Sequence, residues 1–98
     1  MTSYPLHSFD LSGKVSVITG AAQGIGEVAA HVFAGLGSKV AILDVQPQVG
    51  EAVAAAIRAD GGSAIYINCD VSSELEVSAA ADRVARELGS TDVLINNA

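Results

Sequence analysis

The run Val15-Ser16-Val17-Ile18-Thr19 passes directly into Gly20-Ala21-Ala22-Gln23-Gly24-Ile25-Gly26, and a helical pattern begins at once behind it. This junction constrains the fold more than any other feature of the chain. A short β-branched run stopped by glycine reads as a buried strand. Ile25, Val28/Ala29, Val32/Phe33 and Leu36 then recur at helical spacing, a pattern that predicts one apolar face, before Gly37 ends the helix. Where a strand's carboxyl end meets a helix's amino end, several backbone N–H groups lack helical partners and the helix dipole adds positive character. Glycines let such a turn close tightly and let an anion approach the backbone. The turn reads either as a pyrophosphate site or as an ordinary βα turn, and its place between strand and helix favours the first.

The rest of the chain repeats the alternation. Lys39 to Leu43 predicts a second strand closed by Asp44, and Pro47 opens a helix with Val49, Val53 and Ile57 on one face. Ala64 to Cys69 predicts a third strand ending at Asp70. Ser73 with Glu76 fits a capping box, and Val77, Ala81, Val84 and Leu88 line the helix behind it. Asp92 to Asn96 predicts a fourth strand. The order βαβαβαβ implies an α/β parallel sheet, since only parallel strands need helical crossovers. Right-handed crossovers lay the first two helices on one face and the third on the other. The expected strand order is 3-2-1-4, the first half of a doubly wound Rossmann fold. Residues 1–13 form a lead-in segment, and residues 14–98 a nucleotide-binding half-domain cut off after the fourth strand.

Composition narrows the function. Half of the 98 residues are hydrophobic and 16% are charged, which excludes intrinsic disorder. Eleven acids against five bases, net −6, argue against a nucleic-acid or anionic-membrane partner. No signal peptide is expected, since the first thirteen residues lack a basic stretch followed by an apolar run, and the apolar runs fall short of the ~18 residues of a spanning helix. Cys69 is the one cysteine, so no internal disulfide forms, and the expected location is cytoplasmic. Cys69 reads as a packing residue. His7 and His31 lack ligand-spaced partners, so no metal site is expected. Asp44 lies close to the ~20-residue offset expected of an acid that accepts from both adenosine ribose hydroxyls. A 2′-phosphate there would meet like charge, with no Lys or Arg among Ala22, Gln23, Val45 and Gln46 to offset it. The expected cofactor is therefore NAD rather than NADP.

Thr19-Gly20-Ala21-Ala22-Gln23-Gly24-Ile25-Gly26 resembles the T-G-x-x-x-G-x-G motif of the short-chain dehydrogenases/reductases. Cys69-Asp70-Val71 is similar to that family's third-strand D-V, and Asn96-Asn97-Ala98 to the start of its N-N-A-G. Phe9 to Val15 is similar to its lead-in. The resemblance implies that Gly20, Gln23, Gly24, Ile25 and Gly26 surround the pyrophosphate, with Ile25 towards the nicotinamide side. It places Asp44 with Val45 at the adenosine ribose, Asp70 and Val71 beside the adenine, and Asn97 and Ala98 along the second ribose. Asn96 is expected instead to tie the fourth strand to its neighbours.

The family's Tyr-x-x-x-Lys pair has no counterpart here, because neither Tyr4 nor Tyr66 has a lysine four residues on. The resemblance thus implies the N-terminal, cofactor-binding part of an oxidoreductase acting on an alcohol or ketone. Its catalytic residues are expected beyond residue 98, so the 98-residue chain alone should be inactive, and the full-length enzyme a homo-oligomer. Two alternatives are an S-adenosylmethionine methyltransferase half-domain, which normally carries an acid where this chain has Thr19, and a non-catalytic nucleotide-binding module.

Overall fold

In the computed structural model, which describes residues 10–97, seven elements alternate along the chain: β1 (Val15–Thr19), α1 (Gly24–Gly35), β2 (Lys39–Asp44), α2 (Pro47–Ala59), β3 (Ser63–Asn68), α3 (Glu74–Glu87) and β4 (Val93–Asn96). The strands pair in parallel in the order β3-β2-β1-β4. β1 is central, with Val17 opposite both Ala41 and Leu94. All five of its residues are buried, as a strand covered on both faces requires.

Side-chain alternation along the strands divides the core in two. Ile18, Val40, Ile42 and Ala64 pack with Ala30 of α1 and Val53, Ala54 and Ile57 of α2. Val15, Val17, Ala41, Leu43 and Ile67 pack with Ala80 and Val84 of α3. Two helices therefore cover one face and the third covers the other, as right-handed crossovers require.

The helices differ from the sequence expectation in which stripe they bury. α1 seats Gly26 and Ala30, with Ala29 and Phe33 partly covered, while Ile25, Val28 and Val32 are exposed. In α3 the inner residues are Ala80 and Val84, while Val77 and Ala81 lie outside. In α2, Val53 and Ile57 are buried as expected but Val49 is exposed. In α1 it is the small residues Gly26 and Ala30 that are fully buried, because that helix packs close to the sheet.

Strand ends also shift by a residue. β3 begins at Ser63 and stops before Cys69, whose N–H still donates to the Asp44 carbonyl at 3.0 Å. β4 begins at Val93, because Asp92 turns its carboxylate back to accept the Val15 N–H at 2.9 Å.

Candidate functional site

The carboxyl ends of β1, β2, β3 and β4 share one edge of the sheet, and the Gly20–Gly26 turn lies across it. Gly24 has φ of +63°, a left-handed conformation that disfavours any side chain. A Cβ at Gly24 would meet nothing within 4 Å, so the outer side of the turn is open. Gly26 is glycine for another reason. A Cβ there would overlap the Gly20 carbonyl and lie 2.7 Å from Asn97 Nδ2, so its absence lets α1 sit close to the sheet. Gln23 is the N-cap of α1 but provides no side-chain cap, which leaves the first-turn N–H groups facing the open side. Ile25, in the first turn of α1, has 81% of its surface exposed. These features leave the N-terminus of α1 open and uncapped, a geometry suited to a phosphate-sized anion.

Asp44 is not simply a solvated strand-end carboxylate. It is 8% exposed, and its Oδ2 accepts the Ala22 N–H at 3.0 Å. Its Oδ1 accepts the Val45 N–H at 2.7 Å and Gln46 Nε2 at 3.3 Å. The acid at the end of β2 thus fastens the glycine turn to the sheet. Spacing places Asp44 here, but its bond to Ala22 has no signal in local sequence.

Asp70 follows β3 at the same edge and is exposed. Its Oδ1 accepts the Ser72 hydroxyl at 2.7 Å and the Ser72 N–H at 2.9 Å. The side-chain bond chiefly, and the backbone bond next, hold its carboxyl below the ordinary Asp range, so it remains an acceptor. Val71 lies beside it, half-exposed. Glu76 completes only half of the capping box. Its N–H donates to Ser73 Oγ at 3.2 Å, but its carboxylate accepts the Asp70 N–H at 2.9 Å, because the Ser73 N–H is already bonded to the Asp70 carbonyl.

At β4, Asn97 Nδ2 donates to the Gly20 carbonyl at 3.2 Å, and the Asn97 N–H donates to Thr19 Oγ1 at 2.9 Å. The Thr19 hydroxyl in turn donates to Asn96 Oδ1 at 3.1 Å, so Asn96 ties β4 to β1 as expected. Thr19 thus joins β1 to β4, and the signal for it in the sequence is a hydroxyl closing a strand before a glycine turn. Ala98 lies outside the described residues, as do Tyr4, His7 and Phe9. The described residues contain no group of three or more His, Cys, Asp or Glu able to hold a metal ion. No described helix is long and apolar enough to cross a membrane.

A family profile described as short chain dehydrogenase matches residues 14–98. D-threitol dehydrogenase of Mycolicibacterium smegmatis is 43% identical over 90 residues, covering 92% of this chain and 35% of that protein. A crystal structure of hydroxysteroid dehydrogenase from Escherichia coli superposes with a TM-score of 0.93 at 39% identity, covering 97% of this chain and 40% of that one. A 7α-hydroxysteroid dehydrogenase complexed with NADH and 7-oxo glycochenodeoxycholic acid gives 0.89 at 37% identity, covering 94% and 36%. The chain spans about a third of the length of the curated relatives it matches. On its glycine turn, its strand order and these matches, the chain belongs to the short-chain dehydrogenase/reductase family.

Proposed function

We propose that residues 14–98 are the NAD(H)-binding part of an oxidoreductase that exchanges hydride with a small-molecule alcohol or ketone. The single observation that carries this reading is the pairing of an open glycine turn with an acid bonded to that turn, through Asp44 Oδ2 and the Ala22 N–H. Gly20, Gln23, Gly24, Ile25 and Gly26 hold the pyrophosphate on the free N–H groups of α1. Asp44, beside Val45, accepts from the adenosine ribose. Asp70 and Val71 border the adenine, and Asn97 the second ribose. When bound, the dinucleotide supplies the hydride chemistry. This chain's residues bind and orient it. The groups that move the substrate proton belong to the region beyond residue 98, and we assign the enzyme to the cytoplasm as a homo-oligomer.

Charge placement supports NAD(H) over NADP(H). Lys14 and Lys39 lie at the start of β1 and β2, Arg58 in the last turn of α2, and Arg83 and Arg86 late in α3. All five bases therefore lie towards the end of the sheet opposite the glycine turn, and a 2′-phosphate would face the Asp44 carboxylate with no cation from this chain. Titrating both cofactors into the full-length protein tests the proposal, and equal or tighter NADP(H) binding overturns it. Asp44→Ala with Val45→Arg should move preference towards NADP(H) by about tenfold or more, since removing like-charge contact is worth at least ~1.4 kcal/mol. The methyltransferase alternative gains no support from the site. Thr19 occupies its acid position and is committed to Asn96 and Asn97.

A further inference from the structure

The end of β2 is anchored by its backbone as well as by its carboxylate. The Asp44 carbonyl accepts the Cys69 N–H at 3.0 Å and the Tyr66 hydroxyl at 2.7 Å. Tyr66 pairs with Ile42 in the sheet, so its ring leans along the strand towards the site edge to reach Asp44. The ring lies directly against Gly50 in the first turn of α2. A Cβ at Gly50 would overlap ring carbons Cε1 and Cδ1 and lie 3.1 Å from Cζ. The Gly50 N–H donates to the Gln46 carbonyl at 2.8 Å, so this helical turn is continuous with the loop that follows Asp44. Burial foremost, then the Asp44 charge, raises the Tyr66 phenol above its ordinary value, and it remains a donor at neutral and mildly alkaline pH.

The aim of the Asp44 carboxylate matters because little of its capacity is left. A carboxylate offers about four acceptor sites. Two on Oδ1 are taken by the Val45 N–H and Gln46 Nε2, and one on Oδ2 by the Ala22 N–H. One site on Oδ2 remains free of these donors, so the carboxylate can accept from one ribose hydroxyl and not from both as its spacing led us to expect, and a small rotation of the residue would turn that site away.

We propose that Tyr66 is a positioning residue for adenosine 2′-hydroxyl recognition, holding the Asp44 backbone against α2 so that the remaining carboxylate acceptor faces the ribose. The proposal rests on the assignment of Asp44 to the ribose made above. Tyr66→Phe removes the hydroxyl and keeps the ring against Gly50, so the fold should persist.

The test measures AMP and 2′-deoxy-AMP binding to the full-length protein by calorimetry, for the wild type, Tyr66→Phe, Asp44→Ala and the double variant. The wild type should favour AMP. Tyr66→Phe should reduce that preference about three- to tenfold, the range of one net hydrogen bond, with 2′-deoxy-AMP binding unchanged. In the Asp44→Ala background Tyr66→Phe should change nothing further, the mark of two residues acting as one unit. Equal weakening of both nucleotides, or an unchanged preference, overturns the proposal while leaving the ribose assignment standing. If Asp44→Ala itself keeps the wild-type preference, the ribose assignment falls and the proposal with it.

Discussion

Gly24 and Gly26 lie two residues apart and are glycine for opposite reasons, one facing open space and the other a wall of backbone. At Gly24 the expected outcome of Gly24→Val is a folded protein that no longer binds NAD(H). The left-handed backbone costs a β-branched residue about 1–3 kcal/mol, which lowers stability without blocking folding. The new side chain would occupy the space through which a phosphate approaches. Calorimetry with a circular-dichroism control checks this, and unchanged NAD(H) affinity would remove Gly24 from the site. Cys69 is fully buried, and burial foremost, then the charges of Glu76 and Asp70, pushes its thiol above the ordinary value. A raised thiol value means less thiolate at neutral pH, so Cys69 should alkylate more slowly than a free cysteine there and speed up only in alkaline buffer. Peptide mapping after iodoacetamide treatment reads this directly. Rapid neutral labelling would contradict it.

Between elements, the opening ends of β1 and β2 are joined by a pair of buried hydroxyls. Ser16 Oγ and Ser38 Oγ lie 2.6 Å apart, and Ser38 Oγ also lies 3.2 Å from the Lys14 carbonyl. Ser38→Ala leaves the Ser16 hydroxyl buried without this partner and should cost about 1–3 kcal/mol in urea unfolding. Adding Ser16→Ala should cost less than the sum of the two single changes, because it removes the stranded group. Nothing in the local sequence pairs the two serines, which lie 22 residues apart. The helix faces were also only partly legible. Spacing marks an apolar stripe but not its side: α1 buries Ala30 and exposes Val28 and Val32, since the sheet beneath it admits small residues. The Ser73 cap formed as its motif indicates, while the Glu76 half was redirected to Asp70, a residue outside the motif.

Across the whole molecule, β4 pairs only with β1 among the described strands, and Leu94 is 66% exposed on it. Beside it a cleft of about 410 Å³ runs between the sheet and α3, lined by Val17, Leu43, Val71, Val77 and Leu94 among others. An unpaired edge next to apolar surface recruits other strands. Residues 1–98 expressed alone should therefore self-associate in size-exclusion chromatography and reduce no NAD against a panel of alcohols. A dispersed monomer contradicts the first expectation, and measurable turnover the second. The strand order, the division of helices between faces and the place of the glycine turn were legible in the sequence alone. They follow from local alternation, from the need of parallel strands for crossovers, and from the fixed hand of those crossovers. Only the tertiary structure decided that Ala22 donates to Asp44, that Asp92 accepts from Val15, and that Tyr66 reaches the Asp44 carbonyl across the face of Gly50. Those partners are distant along the chain and meet only once strand register and helix depth are set, and no local pattern encodes either.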